Sequence, residues 1–315
     1  MIPLLRFVID RLLQSLVVLV GILTLTFILL QLAPGNPFAT EKNIPEHIVA
    51  NMREYYGLNR PPVEQWFRML LNYFVRFDGG ESFTKDGFTV NEIILESLPV
   101  SLLVGGAGLA FALATGVPLG VVAAARRNRA GDYLASSLAL AGICLPTFVL
   151  GPLAVSFFAL ELGWFTPAGW EDRRTDWILP STVLGLFYMG YIARITRAGM
   201  LEALHQDYVR TALAKGLSEG RILVVHALRH GLLPLVSFLG PAVAGILAGS
   251  FVVETIFGLP GMGLLTVVAA RDRDLPLLTG SVMTYGAMVL VSNFLSDLAQ
   301  YWMNPRMRGA GGGLS

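Results

Sequence analysis

Residues able to do chemistry are few and scattered along this chain. His226 and His230 stand four apart, the spacing that puts two imidazoles on one helix face for zinc. The zinc-protease pattern needs a glutamate directly after the first histidine, and Ala227 stands there, so histidines facing solvent or a phosphate are the expected reading. The lysines Lys42, Lys85 and Lys215 are followed by Asn, Asp and Gly, so none closes a G-x-x-x-x-G-K-[ST] phosphate loop. A serine-nucleophile elbow is not expected either, and nothing supports an intramembrane enzyme. Cys144 is the single cysteine, so no disulfide can form within one chain. Glu254 and Asp297 lie inside apolar surroundings, where a carboxylate defaults to function. For Asp297 a structural pairing with an arginine is preferred; for Glu254 solvation or a hydrogen bond is expected, with a place on a pathway as the rival.

The elements that must hold these groups are apolar. Hydrophobic residues make up 54% of the chain and charged ones 14%, well below the roughly 25% charged of a soluble domain. Six stretches reach the length of about 20 residues that crosses a bilayer: Leu12–Leu32, Leu98–Ala125, Tyr133–Leu160, Ile178–Met200, Leu233–Ile256 and Leu277–Met303. The expected fold is all-α, a polytopic membrane protein with six transmembrane helices. Residues 1–32 form the first span, 33–97 a long loop outside, 98–303 a five-helix core and 304–315 a tail. The run at 12–32 is long for a cleaved signal, and no small-residue cleavage site follows it, so it is read as retained.

Basic residues say which side is which. Arg6 and Arg11, then Arg126, Arg127 and Arg129, then Arg194 to Arg229, then Arg306 and Arg308 fall on the short segments of one face. Both termini and the connection at 201–232 are therefore expected in the cytoplasm of a bacterial-type inner membrane. The basic residues follow topology, and no nucleic-acid partner is expected.

Between the fourth and fifth spans lies DYVRTALAKGLSEGRILVVHALRHGLLP, Asp207 to Pro234. Asp207 can N-cap a short helix over Tyr208 to Ala214, with Lys215 in its last turn and Gly216 in the left-handed position that ends it. Ser218 can cap a second helix running to Pro234. Elsewhere, Pro45–Tyr56 and Pro62–Phe77 read as amphipathic helices in the outer loop. Gly116 and Gly120 form a small-xxx-small pair that permits close helix contact. Gly240, Ala244, Gly245 and Gly249 give the fifth span a thin face, expected at a subunit interface or the pore. Pro146 breaks the third span, expected as a static kink. Trp164, Trp170 and Trp177 suit an interfacial belt.

Several strings resemble one family. Ala212, Ala214 and Gly216 followed by Leu233-Pro234 are similar to the coupling loop of ABC-importer permeases of the peptide/nickel family. LLQLAPGNP at 29–37, YGLNRPPVEQWFRML at Tyr56–Leu70 and VVETIFGLPGMG at Val252–Gly263 resemble the same family. Two departures from the general importer motif, Arg210-Thr211-Ala212 in place of its glutamate and a longer glycine-to-proline spacing, look like the peptide subgroup. The resemblance implies that Asp207, Tyr208, Arg210, Thr211, Ala212, Ala214, Lys215, Gly216, Leu217, Ser218 and Glu219 couple to a separate ATPase. Glu254, Pro260, Gly261 and Gly263 become candidates for a pathway or gate. It further implies a second homologous permease, two ABC ATPase subunits that bind ATP and Mg, and an extracytoplasmic binding protein. This chain would itself bind no cofactor or metal, contacting only membrane lipid besides its partners. Peptides or a related small solute would be carried. The alternative is an independent secondary transporter or channel, which would need coupling-ion or selectivity residues at mid-membrane.

Overall fold

A computed structural model describes residues 2–32, 46–85, 87–171 and 175–303, and these are helical almost throughout. The expected exit turn at 33–37, the residue Pro45 and the tail from 304 lie outside the described residues. α1 is Ile2–Leu32, α2 Glu46–Tyr55, and α3 Pro62–Leu71, which continues through a wider π turn to Arg76. α4 is Val90–Ala125, α5 Ala130–Cys144, and α6 Thr147–Ala154, which widens into a π segment ending at Glu161. α7 is Ile178–Leu204, α8 Asp207–Ala214, α9 Glu219–Arg221 and α10 Leu228–Gly231, the last two joined by a π segment over Ile222–Ala227. α11 is Leu233–Phe257, α12 Met262–Arg271 and α13 Leu275–Met303. Among the described residues, five helices are long and apolar enough to cross a membrane, and six if α5 and α6 together make one broken span.

Two compact units divide the described residues: those within 1–99 and 261–288, and those within 100–260 and 289–303. In the first, Val90, Ile93 and Ile94 of α4 bury against Met262, Leu265 and Ala269 of α12 and Leu277 of α13. α3 lies on α1, with Trp66 Nε1 donating to Thr24 Oγ1 at 3.1 Å. Asp274 is fully buried and caps α13: the Leu277 N–H donates to its Oδ1 at 3.1 Å. Its other oxygen accepts from the hydroxyls of Ser82 and Thr84, which ties the loop after α3 to the start of α13.

The second unit is centred on α7, whose buried face includes Val183, Leu184, Ile192 and Met200. Glycines let the neighbouring backbones touch it. A Cβ on Gly116 or Gly120 of α4 would come within 2.8 Å of the Met189 carbonyl oxygen or 2.5 Å of the Ala193 one. The small-xxx-small pair thus has its partner inside the same chain. The thin face of α11 is also occupied internally, which corrects the expectation of a subunit interface or pore. A Cβ on Gly240 would sit 2.5 Å from Asn293 Oδ1, and one on Gly245 2.4 Å from the Tyr188 hydroxyl. Aggregate small-residue content marks a close contact in a sequence, but it does not say with what.

The structure bears on three further expectations. The helix of the second span begins at Val90, two turns before Leu98, and its first two turns carry the polar Asn91, Glu92 and Glu96. At Pro146 the chain is not kinked but turned: α5 and the helix after it are bent by 98°. Leu145 is extended (φ −90°, ψ 109°), as a residue before proline tends to be, and Pro146 opens α6. Of the three tryptophans, Trp164 is exposed, whereas Trp170 and Trp177 pack against the core around α7.

Candidate coupling site

α8 and the helix made by α9, α10 and the π segment between them form a small knob. Val209 and Ala212 of α8 bury against Ile222 across the turn, and Leu204 and Leu217 close the edges. Gly216 makes this turn. Its φ is +76°, a conformation that L side chains adopt at a cost. Its N–H donates to the Leu213 carbonyl at 2.9 Å, and the Leu217 N–H donates to the Ala212 carbonyl at 3.3 Å. That is the paired closure of a helix by a left-handed glycine, with the apolar contact through Leu217 that accompanies it.

The caps at the other ends differ from expectation. Gln206 is the N-cap of α8 and Asp207 is its first residue, with no side-chain cap bond. There Asp207 still favours the positive helix end, and Arg210 lies 3.5 Å from it, an exposed pair of small weight. Ser218 holds the N-cap position of α9 with extended backbone (φ −66°, ψ 145°), yet its hydroxyl makes no cap bond. The string Gly216-Leu217-Ser218-Glu219-Gly220 does carry the letters of a nucleophile elbow, contrary to expectation. An elbow needs a strand-to-helix turn; here the string joins two helices.

The knob sorts the candidate residues into two groups. Ala212 is buried and Leu217 half-buried, so both pack into the small core that backs α8. Asp207, Tyr208, Arg210, Thr211, Ala214, Lys215, Gly216, Ser218 and Glu219 are exposed. Leu213, which sequence reasoning passed over, is 53% exposed on the same short helix. An uncharged leucine with nothing to pack on is the signal that marks it. The Tyr208 ring lies 5.3 Å from that of His230, and partial burial pushes its phenol up, so it stays a hydroxyl donor near neutrality. A Cβ on Gly199 would meet the Gly231 carbonyl oxygen at 2.2 Å, so the second helix of the knob is pressed directly onto α7.

The gate candidates are placed separately. Glu254 is fully buried near the end of α11 and its Oε1 accepts from the Ser101 hydroxyl at 2.7 Å, so it is hydrogen-bonded and not solvated. Gly258 ends α11 in the left-handed region (φ 62°) and Pro260 is exposed. Gly261 is the N-cap of α12, and Gly263 is buried in that helix's first turn.

One group of residues was not anticipated at all. Asp132, at the start of α5, is 4% exposed. Its two oxygens accept Nε and one terminal nitrogen of Arg197 on α7, each at 2.8 Å. Asn128 N–H at 2.9 Å and Ser136 Oγ at 3.2 Å complete its shell.

The sequence matches two family descriptions. Residues 116–309 match the binding-protein-dependent transport system inner membrane component, and residues 4–104 match its N-terminal membrane component. The oligopeptide transport system permease protein OppB of Haemophilus influenzae is 41% identical over 96% of this chain and 99% of its own length. OppB of Escherichia coli strain K12 is 40% identical over the same shares, and the dipeptide permease DppB of Bacillus subtilis is 40% identical over 96% and 98%. A chain of the inward-facing MetNI methionine ABC transporter has the same fold, with a TM-score of 0.57 at 16% identity, covering 68% of this chain and 97% of that one. By the extent of the family match and the identity to these relatives, the chain belongs to the inner-membrane components of binding-protein-dependent transport systems, as a permease subunit of an ABC importer.

Proposed function

We propose that this permease forms half of a translocation pathway for peptides, paired with a second homologous permease and driven by two ATPase subunits that bind ATP and Mg. Its relatives are named for oligopeptide and dipeptide transport, which supports the substrate class. Choice among peptides rests with an extracytoplasmic binding protein. The observation that carries the reading is α8: a short exposed helix, closed by Gly216 and backed by its own small core, suited to dock as a rigid body. ATP binding by the partners moves the knob and switches the pathway between inward- and outward-facing forms. The independent carrier or channel gains nothing from such a knob, and family membership speaks against it. Glu254 would line the path only in a conformation that parts α11 from Ser101 of α4, while Pro260, Gly261 and Gly263 stay candidates on sequence grounds.

The purified chain should hydrolyse no ATP above background. Hydrolysis should appear on adding the ATPase subunits and rise further with the peptide-loaded binding protein. Robust hydrolysis by this chain alone would overturn the reading.

We further propose that both termini, the connection at 126–129 and the knob are cytoplasmic, with the loop at 33–89 outside. In a Cys144→Ser background, Lys85→Cys should react with an impermeant maleimide in intact cells, and Arg127→Cys should react only after lysis. Both positions are exposed, so accessibility to solvent does not confound the comparison. The reverse pattern inverts the topology.

A further inference from the structure

The Asp132–Arg197 pair joins two helices at the end that leads into the knob. Arg197 lies two turns before the end of α7 at Leu204, and α8 starts at Asp207. Asp132 opens α5 directly after the basic connection, and Arg127 of that connection has a guanidinium nitrogen 3.5 Å from His205 Nε2. Further along, α5 and α7 touch through backbone. A Cβ on Gly190 would meet the Ala139 carbonyl oxygen at 2.3 Å, and one on Gly142 the Leu186 carbonyl oxygen at 2.5 Å. Such contacts set how close two helices come. The apolar side chains beside them, Ile143 at Gly190 and Met189 at Gly142, interlock there but make no directional bond that fixes an angle. A guanidinium fork on a carboxylate is different, because two parallel hydrogen bonds fix both distance and angle. Here the carboxylate is further held by Asn128 N–H and Ser136 Oγ, so it cannot turn to follow a sliding partner.

We propose that Asp132 and Arg197 are positioning residues that lock α5 in register with α7. Displacement of α8 is then carried through α7 into α5, and on to the 98° turn at Leu145–Pro146, without loss to slippage between helices. The assignment rests on the reading of α8 as the element that docks on the ATPase. A purely structural pair would matter only for how much complex assembles. A register lock also sets how much transport each ATP drives.

The test reconstitutes the complete complex, with its binding protein, in proteoliposomes. Radiolabelled casein hydrolysate serves as the peptide source, and uptake and ATP hydrolysis are measured together. Arg197→Lys keeps the charge and loses the fork, and Asp132→Asn keeps the shape and loses the charge. Both should assemble at a level comparable to the parent while peptide taken up per ATP falls by at least about five-fold, the lower end of ordinary coupling effects. An unchanged ratio in the variants that assemble overturns the proposal. So does failure of both variants to assemble, which would make the pair a folding element. If only one assembles, its ratio decides. Gly216→Val, measured alongside, separates the two readings. If it uncouples while the pair variants keep the parental ratio, the lock falls and the docking role of α8 stands. If Gly216→Val itself behaves as the parent, the docking role is what fails.

Discussion

Gly216→Val is expected to leave the chain inserted and assembled while peptide uptake falls by about ten-fold or more, within the range of a broken coupling free energy. The reason is conformational and not steric. A Cβ added at Gly216 meets nothing within 4 Å, so valine has room. The strain lies in φ of +76°, where a β-branched side chain costs on the order of 1 kcal/mol or more. That cost is too small to unfold a bundle of long helices whose packing lies elsewhere. It is large enough to open the bonds from Gly216 to Leu213 and from Leu217 to Ala212, which aim α8. Gly216→Asn should therefore be far milder, since asparagine tolerates the left-handed region. The measurement is uptake and binding-protein-stimulated ATP hydrolysis, each normalised to assembled complex. Equal transport by the valine variant and the parent would make Gly216 an ordinary loop glycine.

Gly216 also shows what a sequence can disclose. The helix before it, the glycine stop and the apolar residue after it are all local, and each leaves a mark within a few positions. The apolar spans are legible for the same reason, since bilayer length appears as an unbroken run. The helix starts at Val90 and Asp207 are harder to read, because in polar first turns composition and helix part ways. What the sequence could not disclose is pairing. Asp132 and Arg197 are 65 residues apart, and Ser82 and Asp274 are 192 apart. Nothing in a period or a cap joins them. Pro146 was visible as a break, but its angle was not. The angle depends on what each half packs against: α5 on α7, and Gly151 of α6 against Ile256 of α11. Glycine content behaved likewise, marking close approach without naming the partner.

The second large effect is expected at Gly190, and here the argument is steric. Its ideal Cβ would lie 2.3 Å from the Ala139 carbonyl oxygen and 2.6 Å from Cγ1 of Ile143. The isoleucine can shift, but a backbone carbonyl inside α5 cannot turn away without losing its helix bond. The helices must instead separate, and Gly142, 2.5 Å from the Leu186 carbonyl by the same measure, shows that the seam is tight along its length. Overpacking costs typically 1–3 kcal/mol. A backbone-on-backbone clash belongs at or above the top of that range, about 3 kcal/mol. Replacing glycine inside a helix returns at most about 1 kcal/mol of propensity, and less for valine, so the clash wins. In a membrane there is no hydrophobic force to hold the separated helices together, because close packing is itself the attraction. Gly190→Val should therefore cut the amount of folded, partner-bound chain many-fold, as measured by co-purification with the ATPase subunits from solubilised membranes. Gly106→Ala on α4, where a Cβ meets nothing within 4 Å, should leave that amount unchanged or slightly raised. If Gly190→Val co-purifies at the parental level, α5 and α7 do not touch through backbone at this point. The seam that the Asp132–Arg197 pair is proposed to hold in register would then have to be redrawn.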